Sequence, residues 1–170
     1  MVIYRFTRNI SILFFFIAIS FSNLGAQNVH YVDINTPCIS GCDGSSWSTA
    51  FSSLDTAILM ASSEDTLYIA NGIYTQLSSA SPVDRINITS SLNLIGGFDP
   101  SSGVDSLHER DWRQHVTRLS GEYQGDGDQS NNSRTVVLIH NTATDVLLDG
   151  FNIEWGNANA ATNLSDRTGA

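Results

Sequence analysis

The sequence predicts an all-β fold of stacked parallel coils, a solenoid closed at its N-terminal end by one helix. Three observations carry that expectation. Leu94-Ile95-Gly96-Gly97-Phe98 and Leu147-Leu148-Asp149-Gly150-Phe151 repeat one unit, an apolar run that meets glycine and then phenylalanine. Val136-Val137-Leu138-Ile139 and Val146-Leu147-Leu148 are continuous apolar runs, the pattern of strands buried by neighbours on both sides. The connections are long and irregular rather than two-residue hairpins, and no second helical pattern supplies βαβ units. A mixed β-sandwich is the structural alternative.

Residues 1–26 read as an export signal. Arg5 and Arg8 precede an apolar run from Ile10 to Phe21, and Leu24-Gly25-Ala26 offers small residues at the cut. The run falls short of the roughly 18 apolar residues of a spanning helix, so no transmembrane helix is expected after signal removal. The mature chain then begins near Gln27, as a secreted or cell-surface protein.

Residues 27–62 form the expected cap. Val29 to Ile34 alternates like a strand and stops at Asn35-Thr36-Pro37. Cys38 and Cys42 are the only cysteines, and an even count in an exported chain suggests a disulfide around Ile39-Ser40-Gly41, with two free thiols as the alternative. Phe51, Leu54, Ile58 and Ala61 share one face at helical spacing, with Ser52 as N-cap and Asp55 in the first turn.

Residues 63–170 read as strands and turns. Thr66 to Ala70 is a compact strand ended by Asn71-Gly72, and Val83 to Thr89 is the next. Ser91 to Ile95 follows and closes on Gly96, Gly97 and Phe98. Asp99 to Arg118 is loop-like and rich in charge, and Arg134 to His140 and Asp145 to Glu154 complete the set. The small polar residues from Asn157 to Ala170 carry no strand signal, and a solenoid stopping there exposes an edge. The chain is therefore expected to open a longer protein.

The order of Thr66-Leu67-Tyr68-Ile69-Ala70-Asn71-Gly72-Ile73-Tyr74, Leu94 to Phe98, Arg110-Asp111-Trp112, Thr117-Arg118-Leu119-Ser120-Gly121 and Leu148-Asp149-Gly150-Phe151-Asn152-Ile153 resembles the N-terminal part of secreted proteins of the pectin-lyase-like superfamily. Large surface proteins with a type-nine-secretion sorting domain are similar in pattern, and polymorphic outer-membrane proteins more distantly so. The resemblance spans residues 29 to 160. It implies a right-handed parallel β-helix, with glycines at corners and a capping segment at the N-terminus. Gly96, Gly97, Phe98, Trp112, Gly150 and Phe151 are read as structural, with Phe151 in an internal aromatic column. The superfamily includes polysaccharide lyases and glycoside hydrolases. The subfamily with this layout mostly lacks an assigned activity.

Charge excludes some functions. The chain has 8 basic and 17 acidic residues, a net charge of −9, and no lysine. Without Arg5 and Arg8, the remaining six basic residues leave a mature charge of −11. Nucleic acid needs clustered cations and is set aside as a partner.

His108-Glu109-Arg110-Asp111-Trp112-Arg113-Gln114-His115 fails as a zinc-protease motif, because Trp112 stands where the second histidine belongs. It reads as a surface loop in which Trp112 packs down and an arginine pairs with a local acid. Asp126, Asp128 and Ser130 alternate like calcium ligands, yet Asn131 replaces the loop glycine and Val137 the closing glutamate of an EF-hand. No cofactor is otherwise expected. A lyase base would have to be Arg85, Arg118 or Arg134, and nothing ties these to an acidic cluster. A glycosidase needs two carboxylates roughly 5 to 10 Å apart, which no spacing here places. Trp47, Tyr123 and Trp155 are sugar-stacking candidates, with Trp47 read as packing beside the helix and Trp155 as the one to watch. Asn87, Asn131 and Asn163 open glycosylation triplets. The expected function is a scaffold or adhesin-like passenger that presents loops to glycans, host surfaces or matrix. The alternative is a carbohydrate-active enzyme whose catalytic residues lie in later coils.

Overall fold

The computed structural model describes residues 27–35, 38, 40–75, 86–122 and 124–158. The export signal, Arg85, Tyr123, Asn163 and the final residues from 159 onward lie outside the described residues.

The elements run β1 (Val29–Val32), a 3-10 turn (Trp47–Thr49), α1 (Leu54–Met60), β2 (Thr66–Ala70), β3 (Gly72–Tyr74), β4 (Ile86–Ile88), β5 (Asn93–Phe98), β6 (Thr117–Ser120), β7 (Val137–Ile139), β8 (Leu147–Asp149) and β9 (Phe151–Glu154), with further 3-10 turns at Pro100–Ser102 and Gln129–Asn131. The protein is thus mostly strands, with one α-helix among the described residues. Every paired strand runs parallel to its neighbour. The first sheet has the order β1-β2-β5-β8, the second β3-β6-β9 and the third β4-β7. From β2 onward, successive strands therefore visit the first, second and third sheets in turn. No ladder of an antiparallel sandwich occurs among the described strands.

Register places like residues in columns. Leu67, Leu94 and Leu148 are paired neighbours across β2, β5 and β8, and Ile86 and Ile88 of β4 face Val137 and Ile139 of β7. Alternation sends these side chains inward, where Leu67, Leu94, Ile86, Ile88 and Leu119 are buried. Each such burial contributes about 1.5–3 kcal/mol of transfer free energy.

Helix α1 packs against β1 and β4 and adds Leu54, Ala57 and Ile58 to this core. Its N-cap is Ser53, whose hydroxyl accepts from the Thr56 N–H at 3.3 Å, and not Ser52 as the spacing suggested. Phe51 precedes the helix and bridges to Val32 as extended chain. The helix consequently starts one residue later. Asp55 lies in its first turn, as expected.

The glycine pair is not a turn after a strand. Gly96 and Gly97 lie inside β5, which continues to Phe98. A Cβ on Gly96 would sit 2.7 Å from the Gly150 carbonyl oxygen and 2.9 Å from the Thr117 side chain, so close packing demands glycine there. Gly97 has φ +95°, and a Cβ would strike the Trp112 main chain at 2.8 Å. Gly150, at φ +81°, makes the bend between β8 and β9.

The two phenylalanines of the repeated unit do not stack. Phe98 ends a strand of the first sheet, fully buried, with its ring stacked on Tyr68 at 4.7 Å and tilted against Trp47 at 5.5 Å. Phe151 begins a strand of the second sheet, half-buried, opposite Thr117. An internal aromatic column through Phe151 is therefore absent among the described residues. Trp47 packs as expected of a structural aromatic, but on Tyr31 and Phe98 rather than on the helix, and its indole N–H donates to the Asp105 carbonyl at 2.8 Å.

The apolar runs of β7 and β8 are not buried from both sides. Strands β7, β8 and β9 are each outermost in their sheets, and Ile139, Leu147 and Ile153 remain 46%, 47% and 55% exposed. Leu147 is exposed for a second reason. It pairs with Asn93 in a row whose side chains point outward.

Candidate functional site

Outward residues of the second sheet meet the loop after β6 in a cleft of about 430 Å³. Parallel register aligns Ile73, Arg118 and Asn152 in one outward row and Ser120 with Glu154 in another, while Tyr74 and Leu119 point into the core. Ile73, Ser120, Glu122, Glu154 and Trp155 are the wall residues that carry its chemistry.

The loop wall is built by local hydrogen bonds. The Glu122 N–H donates to the Ser120 hydroxyl at 3.1 Å. Glu122 Oε1 accepts from the Gln124 and Gly125 N–H groups at 3.0 and 2.9 Å, while its Oε2 is shut off from solvent without a partner among the described residues. On the sheet side, Arg118 Nε stands 3.6 Å from Glu154 Oε1.

Trp155 is held in an unusual conformation. Its φ of +62° lies in the left-handed region, which costs a non-glycine residue of order 1 kcal/mol or more. The side-chain amide of Asn132, itself 1% exposed, donates to the Trp155 carbonyl at 3.0 Å. Gly121 passes so close that a Cβ would sit 2.6 Å from that same oxygen. The Asn157 N–H donates to the Ser133 carbonyl at 2.8 Å and secures the chain beyond. These contacts leave the residue 42% exposed on the cleft wall.

The other sequence candidates do not converge. Asp126 accepts from the Asp128 N–H and the Asn131 side-chain amide at 2.8 and 2.9 Å, and Asp128 accepts from the Ser130 N–H at 2.9 Å. The Ser130 backbone bond holds the Asp128 carboxyl below its ordinary value. Asp126, Asp128 and Ser130 thus serve their own loop. Among the described residues, no group of three or more His, Cys, Asp or Glu side chains is arranged to hold a metal ion.

Arg110 donates to the Gly96 carbonyl at 2.9 Å and pairs with the Asp149 carboxylate. The ring of Trp112 does not pack down. The residue is 45% exposed, the Arg113 guanidinium lies 4.5 Å from its ring centre, and its main chain rather than its indole abuts Gly97. His115 Nδ1 is 3.2 Å from Asp99, whose carboxyl is held below its ordinary value by the Ser101 and Ser102 hydroxyls. Cys38 and Cys42 form a disulfide.

Of the aromatic candidates among the described residues, Trp47 and Trp155, only Trp155 enters the cleft. Glu122 and Glu154 were missed, since the acids are spread through the chain and only the tertiary placement of β9 beside the loop after β6 brings these two to one wall. No family model matches the chain, and neither a curated protein nor a solved structure does. No helix among the described residues is long and apolar enough to cross a membrane.

Proposed function

We propose that the chain is the N-terminal part of an exported right-handed parallel β-helix, a scaffold or adhesin-like passenger that binds glycans. Strands that visit three sheets in rotation, all in parallel register, support the coil reading. The contact of α1 with β1, the outermost strand of the first sheet, supports its role as a lid at that end. Apolar residues on the outermost strands β7, β8 and β9 suit stacking of a further coil. Fold alone does not fix function, so the binding reading rests on the site. The observation that carries it is Trp155, held exposed at φ +62° beside Ile73 and two carboxylates.

The test is a panel of extracellular polysaccharides assayed for both binding and cleavage by the purified protein. Binding without cleavage supports the scaffold. Cleavage transfers the site to the carbohydrate-active-enzyme alternative, for which the shared wall of Glu122 and Glu154 is the relevant observation. The absence of both binding and cleavage across the panel overturns the glycan reading. N-terminal sequencing of the secreted form tests export, with Gln27 as the expected first region.

A further inference from the structure

We propose that the second-sheet cleft binds a glycan bearing free ammonium groups, a polymer of unacetylated amino sugars, with one ring on Trp155 and its ammonium against Glu154. This rests on the glycan-binding reading and specifies its ligand class. Two features of the wall select that chemistry.

The first is a platform. A strained backbone secured by the buried side chain of Asn132 keeps Trp155 at the surface, and Ile73, 51% exposed, adds apolar surface elsewhere on the lining of the same cleft. A pyranose ring packs its C–H face on such an indole. The second is charge. Among the described residues, the charged wall residues are Glu122 and Glu154, both acids, in a chain of net charge −9. Arg118 faces Glu154 from the neighbouring strand at 3.6 Å and offsets part of this charge. Glu122 spends Oε1 on two backbone N–H groups, which leaves Glu154, one-third exposed, as the carboxylate a ligand can reach. An ammonium there gains a charge-assisted hydrogen bond and attraction to the indole face. A uronate would meet repulsion from the same carboxylates.

The experiment compares glucosamine oligomers, their N-acetylated counterparts and oligogalacturonate by calorimetry, at low and high salt and slightly acidic pH. Glucosamine oligomers are expected to bind about tenfold tighter than the acetylated ones, with a preference that fades in salt, and oligogalacturonate not at all. Trp155→Gly suits the φ of +62° and should keep the melting temperature while losing all binding. Glu154→Gln should erase the preference for ammonium, and Arg118→Gln should strengthen it. Equal or tighter binding of the acetylated or acidic oligomers overturns the proposal and leaves glycan binding standing. Undiminished binding by Trp155→Gly overturns the placement in this cleft. Failure of every glycan in the wider panel overturns both readings together.

Discussion

Arg110 and Asp149 form an ion pair across 39 residues of sequence, and the same guanidinium holds the Gly96 carbonyl. The pair ties the 106–115 loop to β8, the outermost strand of the first sheet. Arg110 is 15% exposed in its side chain while Asp149 is 45% exposed, so solvent weakens the ionic part more than the carbonyl bond. Arg110→Ala should therefore lower stability by about 1–2 kcal/mol, read as a reduced midpoint in urea at unchanged slope. An unchanged midpoint would show that the loop is not tied through this residue.

Gly97→Ala should be far more damaging than its size suggests. The substitution combines φ +95° with a Cβ 2.8 Å from the Trp112 main chain, and backbone cannot rotate aside as a side-chain tip can. A loss of about 2–4 kcal/mol is expected in thermal unfolding. Alanine at Gly103, with open space around its Cβ position, should show only the strain of its φ of +79°.

Phe98→Ala should cost about 3–5 kcal/mol, as for other fully buried aromatics. Phe151→Asp should cost less than a charge at Phe98, since Phe151 is half-buried on an outermost strand. Comparing the circular dichroism melts of Phe98→Asp and Phe151→Asp gives the ranking. The reverse order would place Phe151 deeper than described.

Acid should loosen the N-terminal end through Asp65. Burial alone would raise its carboxyl, but the N–H groups of Asn28 and Ser62 and the ring of His30 together hold it below its ordinary value of 3.8. A depressed folded value means the stabilisation is complete above the ordinary value and is lost as pH falls through the lower, folded one. Melting temperature should therefore drop on acidification, with Asp65→Asn giving a flatter acid limb from a lower starting stability. An identical acid limb in the variant would remove Asp65 as the cause.

Reducing the Cys38–Cys42 disulfide should cost about 2 kcal/mol or less, because the loop it closes is short. A larger fall in melting temperature with reductant would contradict the loop-entropy account.

The chain by itself determined the local elements. Period-2 alternation and β-branched residues mark Thr66–Ala70 with the bounds it has in the structure, and the apolar spacing of Leu54 and Ile58 marks the helix. Local chemistry suffices there, because each signal is written in residues a few positions apart. Trp155 could be flagged as an aromatic after a strand, but nothing in its neighbours announces a left-handed backbone held by Asn132.

Register belongs to the tertiary structure. The sequence repeat aligns Leu94 with Leu147, whereas the sheet pairs Leu94 with Leu148. That one-residue difference turns Leu147 outward, because side chains alternate faces along a strand. The same long-range packing put Gly96 against Gly150 inside a strand, sent the two matching phenylalanines to different sheets, and brought Glu122 and Glu154 onto one wall with Trp155. Which residues meet across 27 or 54 positions depends on how distant strands pair in the parallel sheets, and no short window of sequence contains that choice.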